Sequence, residues 1–276
     1  MADLSPSSLA RAILPVRARR LLRRAAREAP NRLRDLPRDL VSAVAPRAFG
    51  GPIPPPGLRA RVGLGSRAEF ELVGREGARQ ILQAVASAGI PALPDWLDFG
   101  CGCGRLARYL LETGDARSYT GVDVDADQIA WAARNLSGRF SVMRPDPPLD
   151  FPDASFDVVM AISIFTHFNE DEQFAWLAET RRLLRPGGLL VATTLSPEYA
   201  PAVPGLTGEE LAHLADRGFL AVDHGASTFN EKSTFHSRRY LEKAWSPHFR
   251  LRSHEARAFV SYQDLALWEK APPPPG

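Results

Sequence analysis

The segment Asp98-Phe99-Gly100-Cys101-Gly102-Cys103-Gly104 sets three alternating glycines behind one carboxylate. Glycines in that arrangement let the backbone turn sharply and approach a ligand where a side chain would collide. A second carboxylate, Asp123, follows about 20 residues later, where the next strand of a βαβ unit ends. An acid there can accept hydrogen bonds from both hydroxyls of a ribose.

The spacing is G-x-G-x-G. A dinucleotide loop reads G-x-G-x-x-G, and its third glycine would fall on Arg105. Asp98 would also be poorly placed beside a pyrophosphate, whereas it suits a cation. S-adenosylmethionine carries an ammonium, a sulfonium and a ribose, so charge favours it over NAD. The expected contacts are Asp98, Gly100, Gly102, Gly104, Asp123 and the adjoining Val124. Cys101 and Cys103 read as small side chains tolerated in a tight loop. Two neighbouring thiols do not make a metal site, and no metal is expected.

Elements must hold this loop at the carboxyl end of a sheet. Ala78, Ile81, Leu82 and Val85 lie on one helical face. Strands are predicted at Trp96–Phe99, Tyr119–Asp123, Phe140–Met143, Phe156–Ile164 and Leu189–Leu195. The intervening helices fall at Arg105–Leu111, Ala126–Asn135 and Glu170–Leu184. Strands alternating with helices give an α/β fold, a parallel sheet covered on both faces. Later, Thr207 opens a capping box and Ser237 caps a helix from Arg238 to Trp245. His248–Ser253 and Tyr262–Trp268 read as two further strands.

With those motifs in order, the sequence resembles the class I S-adenosylmethionine-dependent methyltransferases over residues 66–269. Leu97–Gly104 looks like their first motif, and Gly121-Val122-Asp123 like their second. Phe151–Val159 is similar to the segment leading into their fourth strand, and Leu183–Gly188 to the turn before their fifth. The resemblance implies a Rossmann-like, seven-stranded, mostly parallel sheet whose last strand is antiparallel. It also implies an acid after the third strand that holds the adenine amino group. That place falls on Pro145, with Asp146 next to it; either Asp146 takes the role or backbone alone does. Relatives that use Mg²⁺ carry Glu where this chain has Thr166, which speaks against a bound metal. Phe165-Thr166-His167 and Phe235-His236-Ser237 resemble a bacterial subgroup, some members of which lie close to polysaccharide or natural-product pathways.

His167, at the carboxyl end of the fourth strand, has the ordinary pKa of a general base near neutrality. The alternative is a histidine that caps the next helix or ties the strand end. His236 and Tyr240 are weaker catalytic candidates, in a late segment expected to roof the site.

The domain reading is an Arg/Pro-rich extension at 1–57, a methyltransferase domain at 58–270 with a substrate-cap insertion at 196–240, and a Pro-rich tail at 271–276. The first 50 residues hold eleven arginines against four carboxylates, while the remainder is net acidic. That acidic body argues against nucleic acid as a partner. Leu9, Ile13 and Val16 beside the arginines suggest weak contact with an anionic membrane surface, although Pro15 breaks the stripe. At 45% hydrophobic and 24% charged, the chain is neither fibrous nor wholly disordered. Arg17, Arg19 and Arg20 cut short any leader-like apolar run, and two cysteines give no disulfide framework. A cytoplasmic location follows. The expected activity is methyl transfer to an oxygen or nitrogen of a small-molecule or glycan acceptor. The alternative is an inactive, cofactor-binding scaffold tethered by its basic tail.

Overall fold

The structure, a computed structural model, describes residues 52–63, 66–203, 205–224 and 232–271. The Arg-rich stripe with its membrane contact and the terminal proline run lie outside the described residues. The chain divides into two units, Met1–Glu71 and Leu72–Gly276. In the first, Pro56–Arg61 forms α1, which proline opens because it lacks the amide a first turn leaves unpaired. Helix α2 (Arg67–Ala86) begins there with an Arg67–Glu71 pair one turn apart.

In the second unit, strands β1 (Asp95–Phe99), β2 (Ser118–Asp123) and β3 (Arg139–Val142) alternate with α3 (Ala107–Thr113) and α4 (Ala126–Asn135). Then follow β4 (Phe156–Ala161), α5 (Glu170–Leu183) and β5 (Leu184–Thr194). The last part comprises α6 (Gly208–Arg217), the hairpin β6 (Phe219–Asp223) and β7 (Lys232–His236), α7 (Arg238–Ala244), β8 (Arg250–Phe259) and β9 (Gln263–Glu269). The main sheet has the order β3-β2-β1-β4-β5-β9-β8. Neighbours from β3 through β5 pair in parallel, and β9 runs antiparallel to both β5 and β8. This is the Rossmann-like sheet with one reversed strand that the motifs imply.

Strand alternation divides the core. Val158 and Met160 face α2 and α3, where Ile81, Leu106 and Leu110 wait; Val159 and Ala161 face α5 and α7, with Trp176, Leu177 and Trp245. All six residues of β4 are buried. A continuous apolar run in sequence is what a strand covered on both faces requires. Among the described residues, no helix is long and apolar enough to cross a membrane.

The predicted boundaries shift where caps decide. Helix α3 starts at Ala107 rather than Arg105 and ends on Gly114, whose φ of 72° is left-handed. Thr207 and Ser237 cap α6 and α7 as expected. The hairpin β6–β7 is absent from the sequence reading. It forms a separate two-stranded sheet, bridged to the end of β5 through Leu195 and Phe235.

Candidate functional site

The strand order reverses between β1 and β4, and ligands of such sheets bind at the carboxyl ends of the strands flanking that point. The glycine loop follows β1, and a 3₁₀ turn, Phe165–His167, follows β4. The two meet: a methyl group added to Gly100 would lie 2.0 Å from Ile164 Cδ1. Gly100, Gly102 and Gly104 all have positive φ, at 78°, 55° and 75°. An L side chain would be strained there, so the alternate glycines are a conformational requirement.

Asp123 anchors this loop. Its Oδ2 accepts the Gly102 amide at 2.7 Å, and its Oδ1 accepts the Asp125 amide at 2.9 Å. Asp125 in turn caps α4 by accepting from the amides of Asp127 and Gln128. Burial lifts the Asp123 carboxyl above its ordinary range, while the amides of Asp125, Gly102 and Val124 oppose the shift. A carboxylate has roughly four acceptor positions, so these amides leave room for a ligand. Val124 is half-buried directly beyond β2.

Asp98 is 2% exposed, and Tyr119 donates its hydroxyl proton to Asp98 Oδ2. Burial, helped by the nearby Asp123 charge, raises the Asp98 carboxyl to about 7, against the pull of Tyr119 and Arg105. Sequence reasoning missed Tyr119, although the register contained it: Asp98 pairs with Gly121, and Tyr119 lies two positions back on the same face. Cys101 and Cys103 are buried, and burial raises the Cys101 thiol well above its ordinary value. Among the described residues, no group of three His, Cys, Asp or Glu side chains is arranged to hold a metal.

Beside Asp123, a cleft of about 270 Å³ opens at the ends of β2 and β3, between Val122, Val142, Met143, Leu149 and Phe151. The lining mixes these apolar side chains with the polar Ser141, Arg144 and Asp150, a mixture that suits a purine, with its apolar faces and polar edge. The expected contact Asp146 is exposed and outside this lining; the lining instead includes Asp150 and Arg144. The segment after Pro145 contains a cis Pro147–Pro148 peptide, and Asp150 beyond it lies in the lining of the cleft.

The three catalytic candidates part company. His167 is half-buried on the turn after β4, and its Nδ1 lies 2.8 Å from the Lys232 carbonyl of β7. His236 is fully buried, with Nε2 at 2.8 Å from Gln173 Oε1. Trp245 Nε1, which can only donate, reaches the same oxygen at 3.1 Å. That atom is therefore an acceptor, and His236 Nε2 must carry a proton toward it. Tyr240 is also buried; it accepts from Gln173 Nε2 at 2.8 Å and donates to Glu170 at 2.9 Å. His236 meets Phe219 and Trp245 edge to face and Tyr240 stacks on Phe219, joining α5 to β7 and α7 in the core. Sequence alone placed them in a roof because their burial depends on α5, over sixty residues earlier.

Residues 97–188 match a protein family described as "Methyltransferase domain". A 128-residue stretch is 38% identical to the phthiotriol/phenolphthiotriol dimycocerosates methyltransferase 1 of Mycobacterium ulcerans, over 44% of this chain and 45% of that protein. Another, of 105 residues, is 36% identical to a fatty-acid O-methyltransferase of Mycolicibacterium smegmatis, over 37% of this chain and 38% of the relative. The chain thus spans less than half the length of these relatives. Among solved structures, the 1,6-didemethyltoxoflavin-N1-methyltransferase of Burkholderia thailandensis, with bound 1,6-didemethyltoxoflavin and S-adenosylhomocysteine, superposes with a TM-score of 0.53. Its identity is 20%, over 80% of this chain and 92% of that one. An S-adenosylmethionine-dependent methyltransferase of Mesorhizobium loti gives 0.53 at 18% identity, over 69% and 98% of the two chains. At such identities the likeness is one of fold.

Proposed function

We propose that residues 97–188, which match a methyltransferase domain, form a class I S-adenosylmethionine-dependent methyltransferase with which the chain methylates an oxygen or nitrogen of a small-molecule or lipid acceptor. The observation that carries this reading is the Asp123 carboxylate, which grips the glycine loop at Gly102 and directly follows Val122, a residue of the cleft lining. The residues fit the donor: two carboxylates suit a cationic ligand, and an apolar slot adjoins the one suited to ribose. When bound, S-adenosylmethionine supplies an electrophilic methyl on a sulfonium centre.

The chain's own residues then have separable roles. Asp123 receives the ribose hydroxyls on the acceptor capacity its backbone partners leave free. Asp98 balances the positive charge from below the loop. Met143, Leu149 and Phe151 keep water from the base. Val124 and the loop glycines contribute backbone close to the ligand. His167 takes the acceptor's proton where there is one to lose. Alignment of the two reactants is the larger effect, worth up to about 7–11 kcal/mol, and a base adds roughly 10²–10⁴-fold.

The relatives are named for lipid substrates, and this moves the expected acceptor from a glycan toward an acyl or related apolar chain. The built loop and the domain match favour an active enzyme over a tethered scaffold. Calorimetric titration with S-adenosylmethionine, S-adenosylhomocysteine and NAD tests the donor. Transfer of labelled methyl to fatty acids, phenols, sugars and amines tests the acceptor. Tighter binding of NAD than of the methyl donor would overturn the reading.

A further inference from the structure

Lys232 opens β7, and two of its groups reach toward the main sheet. Its carbonyl oxygen is 2.8 Å from His167 Nδ1. Its ammonium is 2.7 and 2.8 Å from the two carboxylate oxygens of Glu172, in the first turn of α5. Glu172 is itself fixed, since it closes the capping box by accepting the Asn169 amide at 2.7 Å. Two residues on, Thr234 Oγ1 donates to the Phe168 carbonyl at 2.7 Å, a second tie between the hairpin and the turn.

A carbonyl oxygen can only accept. His167 Nδ1 therefore carries the ring proton, and Nε2 keeps the lone pair. Among the described residues Nε2 makes no hydrogen bond, and it is not sealed in the core. The His167 amide bonds Ile164 O at 3.0 Å, so the imidazole stands one turn from the side chain that abuts Gly100.

We propose that the β6–β7 hairpin is the positioning element of a general base: the Lys232 carbonyl sets the His167 tautomer, the Lys232–Glu172 pair holds that carbonyl in place, and the acceptor is consequently a hydroxyl. The proposal rests on the methyl-transfer reading above and narrows its substrate class to alcohols or phenols. A carboxylate is already ionised near neutrality and has no proton to give, so a prepared imidazole would be idle. In the step, His167 Nε2 takes the hydroxyl proton while an oxygen electron pair forms the bond to the methyl carbon. The pair of the broken carbon–sulfur bond stays on sulfur, which becomes a neutral thioether, and the imidazolium returns its proton to solvent.

The surroundings agree with a neutral ring. Burial holds His167 below its ordinary value, His224 pushes the same way, and the Lys232 carbonyl opposes. The titratable groups on the packed elements are Lys232 and His236 of β7, His224 just after β6, and Glu170, Asp171 and Glu172 of α5. The near end of β5, Thr193–Leu195, contributes none.

The test is nitrogen-15 NMR of the histidine rings in the full chain, with the His167 signal assigned by His167→Gln. The expected wild-type spectrum shows the Nδ1–H form, still neutral below pH ~6.5. Lys232→Met keeps the backbone carbonyl but removes the ion pair. It should give mixed tautomers, and Lys232→Arg should restore the single Nδ1–H form. With a phenol or alcohol acceptor, Lys232→Met should lower kcat by about 10- to 100-fold, with donor KM within about twofold. An Nε2–H ring in the wild type, or a Lys232→Met spectrum identical to it, overturns the proposal even if the variant's activity falls. Methylation of carboxylates but not hydroxyls also overturns it and leaves methyl transfer standing. Absence of donor binding sinks the underlying reading instead, and the wild-type tautomer remains measurable.

Discussion

The Asp123 carboxylate lies 2.7 Å from the Gly102 amide, so the residue at the end of β2 holds the middle of the loop that follows β1. One side chain thus shapes the glycine turn and, in the proposed site, also receives the ribose. The consequence is that cofactor affinity and loop stability are coupled at this position.

Asp123→Ala should accordingly do two things. Loss of a carboxylate acceptor weakens donor binding by on the order of 10- to 100-fold, as expected for hydrogen bonds worth roughly 1.5–3 kcal/mol. The amides of Gly102 and Asp125 also lose their acceptor, which should cost about 1–3 kcal/mol in the ligand-free protein. Calorimetry and thermal unfolding read the two effects separately; an unchanged melting temperature would show that the loop does not need this clamp.

Gly100→Ala probes the steric side of the same loop. At φ 78° an alanine pays about 1–2 kcal/mol for its left-handed backbone, before its methyl meets Ile164 Cδ1 at 2.0 Å. With about 1–3 kcal/mol for overpacking, the total should be roughly 2–5 kcal/mol, with donor affinity falling as the turn opens. Urea unfolding and titration measure both. A variant as stable as wild type would mean that Ile164 and the turn yield without strain.

Asp98 should give the ligand-free protein an unusual pH dependence. Its carboxyl titrates at about 7 in the fold against an ordinary 3.8, because burial disfavours the charge. The folded state therefore prefers the protonated form. Its contribution is full below pH ~4 and is lost as pH rises through ~7. Relative to wild type, Asp98→Asn should grow more stable as pH climbs across that window. A cationic donor favours the ionised form, so wild-type affinity should rise by about tenfold between pH ~6 and ~8, while Asp98→Asn stays flat. Parallel pH profiles for the two proteins would count against Asp98 as the charge partner.

His236 works in the opposite direction. Burial depresses its pKa to about 3 from 6.5, so the fold holds it neutral. Its contribution is present above pH ~6.5 and is lost as pH falls toward ~3. His236→Phe should flatten that acid slope in urea melts at pH ~7.5 and ~5, with little change in kcat, since the residue lies in the core. A large loss of kcat at unchanged stability would return His236 to the catalytic set. In wild type the two slopes partly cancel between pH ~4 and ~6.5, so the single variants are needed to see either.

The βα alternation was legible because each buried parallel strand writes a near-continuous apolar run, as in Phe156–Ala161. The hairpin β6–β7 was not. Phe219–Asp223 and Lys232–His236 are short, no two-residue turn joins them, and their pairing is supported by the distant Leu195. Asp146 came from counting on from the end of β3 to Pro145 and its neighbour, and counting does not show which side chains line the cleft, where Arg144 and Asp150 lie.

The sequence by itself determined the loop and its cation-friendly chemistry. Glycine spacing and the strand-end acids are local properties, dictated by backbone sterics and by the period of the strands. Only the tertiary structure decided protonation and access: Tyr119 over Asp98, Gln173 beneath His236, and the Lys232 carbonyl on His167, 65 residues away. A side chain's pKa and tautomer are set by the atoms within a few ångströms of it, and those atoms come from elements that meet only after folding.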